Sequence, residues 1–138
     1  MAYATQQNMA DRYGDDQLLI VADRDNDSVV DAAVIEQALL DASAEIDTYV
    51  AAKYALPLST VPTVLTRLCV DISMYRLAAD RDIATEERRK RYEDAVYLLR
   101  RIATGEVSLG IQTPPPSSNG AVVVTSQARR FGRGKKLL

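Results

Sequence analysis

Three aspartates at alternate positions, Asp23, Asp25 and Asp27, are the first residues whose spacing could do chemistry. Carboxylates at the first, third and fifth positions open the ligand set of a helix–loop–helix calcium site. That pattern also wants glycine at the sixth position, to turn the chain, and glutamate at the twelfth, to grip the ion with both oxygens. Here those positions hold Ser28 and Val34. The segment is therefore read as an acidic polar loop that caps the helix after it, and no metal ligand is assigned.

Cys69 is the single cysteine, set between Leu68 and Val70. A nucleophilic thiol needs a histidine or another group that lowers its pKa, and the chain contains no histidine. Cys69 is expected to be a small core residue, and an intrachain disulfide is excluded. Asp41 and Glu45 stand one helical turn apart, with Glu36 and Asp47 near them. Glycosidase or metal chemistry would need a second, facing set of ligands. The other helices offer only Asp71, Glu93 and Asp94, so these acids read as a solvated face. The run Arg88, Arg89, Lys90, Arg91 could touch phosphates. Pairing, with Glu86, Glu87, Glu93 and Asp94 on the same helix or with the acidic face of a neighbouring subunit, is the better reading, because an acidic body repels DNA at long range. No catalytic, cofactor-binding or metal residue is assigned, and the chain is expected not to be an enzyme.

The C-terminal segment is the least ordinary feature. The net charge is −2, yet beyond residue 105 Arg129, Arg130, Arg133, Lys135 and Lys136 face the single acid Glu106. An acidic body with a basic tail points to a partner. Pro114, Pro115 and Pro116 make a stiff spacer, and Ser117 to Gly120 loosen it again. Val122, Val123 and Val124 then give strong strand character. A valine triplet in a loose tail is an aggregation hazard unless it docks on an edge. Phe131 and Leu137-Leu138 complete a peptide suited to folding on another chain. Residues 122–124, with Arg129, Arg130, Phe131, Arg133, Lys135 and Lys136, are the candidate protein-interaction site.

The elements that must position these residues read as helices. Thr5 can cap a first short helix that Gly14 stops, and Asp15-Asp16 can open a second. A long helix is predicted from near Ser28, where Ser28-Val-Val-Asp31 resembles a capping box. Its face is Ile35, Leu39, Ala42, Ile46 and Tyr49, and Leu56-Pro57 ends it. A second starts around residues 59–62, capped by Thr60, with face Val64/Leu65, Leu68, Ile72, Tyr75 and Ala79. Arg67, Asp71 and Arg76 fall on its other side. A third starts at Thr85 with face Tyr92, Val96, Leu99 and Ala103, and Gly105 stops it. The expected fold is all-α: a small bundle of three long helices, one or two short N-terminal helices, and an extended C-terminal arm with a short β-strand. The body spans residues 1–105 and the arm 106–138.

At 138 residues the chain fits one domain with a self-sufficient core. No apolar run approaches the roughly 18 residues of a membrane span. The N-terminal Met1-Ala-Tyr-Ala lacks the basic and apolar stretches of a signal peptide, so the expected location is a cytoplasm or a particle assembled there.

Three stretches carry a resemblance: Tyr3 to Gly14, Ala38 to Tyr49, and Lys53-Tyr-Ala-Leu-Pro-Leu58 followed by Val61-Pro62. Together they resemble the Mu-like phage and prophage head-to-tail adaptor proteins, over about residues 1 to 105. The resemblance implies a structural connector without catalytic residues. It implies a ring of about twelve copies beneath the portal at the capsid vertex, with head-to-tail contacts between copies. Such a ring extends the DNA channel and meets the next neck or tail component. The alternative from another class is a small nucleic-acid-binding regulator, with Arg129 to Lys136 contacting phosphates.

Overall fold

The computed structural model describes residues 1–115. Five helices follow one another: α1 (Gln6–Tyr13), α2 (Asp15–Ala22), α3 (Ala32–Val50), α4 (Thr63–Asp80) and α5 (Glu86–Ala103). The described residues are all-helical, without a strand. The expected strand at 121–126 and the basic cluster at 129–136 lie outside the described residues.

Local chemistry explains most helix ends. Thr5 Oγ1 accepts the Asn8 N–H while the Asn8 side chain returns to the Thr5 N–H, a reciprocal cap for α1. Gly14, at φ +87°, closes α1 and opens α2 with no residue between them. Thr85 Oγ1 accepts the Arg88 N–H and caps α5, as its sequence predicts. Glu86 and Glu87 open α5, and Arg100 and Arg101 end it, both in favour with the helix dipole.

Three boundaries differ from the sequence reading. The helix α3 starts at Ala32, because Ser28 sits at φ +64° and cannot take the extended backbone of a cap. Its end comes at Val50, ahead of the proline: the Tyr54 N–H returns to the Val50 carbonyl in a closing turn. The Leu56-Pro57 bond that follows is cis. Pro62 occupies the cap position of α4, so Thr60 plays no capping part.

The helix α4 packs against all four others. That placement overrides the single stripe expected for it. Leu65, Leu68, Cys69, Val70, Asp71, Ile72, Ser73, Met74, Leu77 and Ala78 are all buried. Asp71, expected on the polar side, is inside, while Ala79, expected in the core, is exposed. A helix with neighbours on several sides keeps only a narrow solvent strip, which here includes Thr63, Arg67, Arg76 and Ala79. In α5 the buried residues are Ala95, Leu99 and Ile102, with Tyr92, Val96 and Ala103 only half-buried, so the core stripe is rotated from the one expected.

The α3–α4 seam is built from small side chains. Ala38, Ala42 and Ser43 face Cys69 and Ser73. Ser43 Oγ donates to the Leu39 carbonyl at 2.7 Å, and Ser73 Oγ to the Cys69 carbonyl at 2.7 Å. Each hydroxyl is satisfied by its own helix one turn back, so it can be buried without a stranded donor. After α5, the Leu109 N–H donates to Tyr54 Oη at 2.8 Å. Val107, Leu109 and Ile111 pack against the core.

Candidate functional site

The acidic loop joins α2 to α3. One carboxylate oxygen from each of Asp23, Asp25 and Asp27 lies within 4.8 Å of the other two. Each acid also serves the backbone: Asp23 accepts the Ser28 N–H at 3.0 Å, Asp25 the Asp27 N–H at 3.2 Å, and Asp27 the Val29 N–H at 2.8 Å. Asp31 accepts the Arg24 N–H at 2.9 Å. The loop is tied to the last residue of α4 and to the turn after it by two arginines. Arg81 donates to the Asp23 carbonyl, and Arg24 pairs with Asp80 at 3.8 Å. Exposed Val29 and Ile83 sit one in each of these segments.

A second polar cluster stands between α3, α4 and α5. Glu45 accepts from both Arg76 and Tyr92 Oη, the latter at 3.0 Å. The Tyr92 ring stacks on Tyr75, with centroids 4.6 Å apart. The hydrogen bond to Glu45 raises the Arg76 pKa above its ordinary value, and burial with the same bond raises that of Tyr92. Each group is thereby held in its ordinary charge state, which suits a strut rather than an acid or base catalyst. Asp41 accepts from Gln37 at 2.8 Å and Asp47 from Tyr3 Oη. The carboxylate pair weighed for Asp41 and Glu45 does not form, since each has its own partner.

Burial pushes the Cys69 thiol upward in pKa, outweighing the hydroxyls of Ser43 and Ser73. It is a core thiol kept protonated, the opposite of an activated nucleophile. The basic run of α5 pairs along its own helix: Arg89 with Glu93 at 3.1 Å, Arg91 with Glu87 at 2.7 Å, and Lys90 with Glu86 at 4.0 Å. Arg88 reaches back to the Gln17 side chain. The pairing favoured from sequence is observed for Arg89, Lys90 and Arg91, but not for Arg88 or with Asp94. Tyr97, on the same helix, is 62% exposed.

Sequence reasoning missed the pairing of Asp71 with Tyr13. Tyr13 Oη donates to the buried Asp71 at 2.8 Å, and the Arg91 guanidinium lies over the Tyr13 ring at 5.5 Å. Arg12, Arg67, Asp71, Arg91 and Asp94 line a depression of ≈ 490 Å³ beside this contact. No sequence signal marks the pair, because its members are 58 residues apart and meet only in the folded chain. The candidate interaction residues Val122, Val123, Val124, Arg129, Arg130, Phe131, Arg133, Lys135 and Lys136 lie outside the described residues.

Among the described residues, then, the polar side chains brace a helical body, and several large apolar ones, Ile20, Val29, Leu40, Ile83 and Tyr97, face outward. The sequence places that body among phage proteins. The chain belongs to the family described as Bacteriophage Mu, Gp36, whose profile matches residues 3–126. It is 38% identical over 124 residues to the Mu-like prophage FluMu protein gp36 of Haemophilus influenzae, covering 88% of this chain and 86% of that protein. It is 34% identical over 140 residues to Gene product J of Escherichia phage Mu, covering 99% of this chain and 98% of that protein. Among the described residues no helix is long and apolar enough to cross a membrane.

Proposed function

We propose that this chain is a structural virion protein of a tailed phage, a head-tail adaptor. Copies form a ring of about twelve under the portal, extend the DNA channel and link capsid to tail, through heterologous contacts that close on themselves. The observation that carries this reading is the end-to-end likeness to phage Mu and Mu-like prophage proteins. The adaptor step rests on the resemblance of residues 1–105 to head-to-tail adaptors.

The surface supports it in two ways. Outward apolar side chains, Val29 and Ile83 at one loop pair and Tyr97 on α5, offer contacts between copies. Three ion pairs already formed within α5, Arg89–Glu93, Lys90–Glu86 and Arg91–Glu87, reduce the number of charges a neighbour would strand there. In this reading the protein is not an enzyme and holds no cofactor. Its partners are further copies of itself, the portal, and a tail-side neck or tail-terminator protein. Genomic DNA passes through the channel without sequence-specific binding. It assembles in the host cytoplasm, ends in the virion neck at the capsid vertex, and engages no membrane. Val122 to Val124 and Arg129, Arg130, Phe131, Arg133, Lys135 and Lys136 make the contact to portal or neighbouring subunit.

The test is complementation of adaptor-deficient particles with the full chain and with a chain truncated after Pro115, followed by imaging of the neck. The full chain is expected in a ring below the portal. The truncated chain is expected to keep its helical circular dichroism and melting temperature but to fail to join portal-containing capsids. Normal joining by the truncated chain removes the role given to the arm. A neck without a ring of this chain removes the adaptor reading itself.

A further inference from the structure

The structure reopens the acidic loop. In sequence, Ser28 in place of the turn glycine and Val34 in place of the last glutamate speak against calcium. The first objection falls: Ser28 adopts φ +64°, the left-handed conformation a glycine would supply. More telling is Asp23. It is only 8% exposed, and its Oδ1 is enclosed with no hydrogen-bond partner among the described residues. Its carboxylate points into the loop, since Oδ2 takes the Ser28 N–H and one of its oxygens lies within 4.8 Å of those of Asp25 and Asp27.

A buried carboxylate oxygen without a partner is costly. The nearest cations do not relieve it. Arg81 spends its contact on the Asp23 backbone carbonyl, and Arg24 is paired with Asp80. Asp31 adds a fourth carboxylate to the loop through its bond to the Arg24 N–H. A loop of carboxylates that also bind their own backbone suits calcium, whose coordination is flexible, better than magnesium, which demands near-ideal octahedral geometry.

We propose that the α2–α3 loop is a calcium site in which Asp23, Asp25 and Asp27 supply carboxylate oxygens to one ion. Asp23 is the enclosed anchor, and Asp25 and Asp27 close the exposed side. The absence of a glutamate at position 34 removes a two-oxygen ligand, which places the affinity in the weak range, with Kd about 0.1–1 mM.

The experiment uses the full chain stripped of metal with EGTA and dialysed, then titrated with calcium chloride by calorimetry and equilibrium dialysis. One calcium per chain is expected, with a melting temperature raised by roughly 5 °C at 10 mM calcium and restored by EGTA. Asp25→Asn with Asp27→Asn, both at exposed positions and still able to accept their backbone bonds, is expected to weaken binding at least tenfold. Asp23→Asn keeps the acceptor for Ser28 but loses the charge. It is expected to melt no lower than the parent without calcium, and to show no calcium shift. Absence of saturable binding up to 10 mM overturns the proposal, as does unchanged affinity in the double variant. The same melting shift from sodium chloride at matched ionic strength marks plain screening and also overturns it.

Discussion

Tyr3 shows how one residue can fasten a chain terminus. Its N–H donates to Ser43 Oγ at 3.0 Å, its carbonyl accepts from Thr66 at 2.9 Å, and its hydroxyl donates to Asp47. The three bonds tie the N-terminal segment to α3 and α4 at once. Burial and the Asp47 carboxylate push the Tyr3 pKa upward, and burial does the same for Tyr13 and Tyr92. A phenol whose folded pKa lies above its unfolded value, about 10, stabilises the fold below that pH. The contribution is lost as pH rises beyond it, because the unfolded chain releases the proton more readily. Melts at pH 8, 9.5 and 11 are expected to show stability falling above about pH 10. Tyr3→Phe is expected to cost about 1 kcal/mol at pH 8 and to flatten the alkaline fall.

At the scale of elements, the sequence is most readable where a side chain acts on its own helix. Thr5 and Thr85 cap where their types and spacing say they should. The α5 ion pairs also follow from spacing alone, since residues four apart share a face. The sequence misleads where the neighbours decide. The rotated stripe of α5 and the buried Asp71 of α4 depend on which helices lie alongside, and periodicity carries no record of that. The Thr60 cap fails for a different reason: Pro62 takes the cap position itself, with ψ 142°. Paired substitutions separate the two cases. Thr85→Ala is expected to cost about 1 kcal/mol in chemical denaturation. Thr60→Ala is expected to stay within about 0.5 kcal/mol of the parent. Equal effects would show that Thr60 stabilises the α4 start by a route other than capping.

For the whole molecule, α4 is the common neighbour, and its interior residues stabilise every other helix together. Ile72 is fully buried there. Ile72→Ala is expected to cost about 2–5 kcal/mol, a large share of the 5–15 kcal/mol typical of a domain. It should lower one cooperative transition rather than split it, and circular dichroism and tyrosine fluorescence melts should coincide. The acidic triad shows the same division between local and assembled information. Its spacing was plain in the sequence. That Asp23 is enclosed, with one oxygen unpartnered, depends on how α2, α3 and the turn after α4 come together.

Gly14 has a mechanical side. It belongs to the end of α1 and the start of α2 at once, at φ +87° and ψ 154°. Two torsions of a single residue therefore set the angle between these helices, where most connections spread that duty over several. Such a joint has no slack. A side chain there would be strained by the positive φ, and any relief would swing one helix as a lever about the other. Because α2 runs directly into Asp23, a small turn at residue 14 would reach the acidic loop at the far end of that helix as a displacement rather than being absorbed along the way.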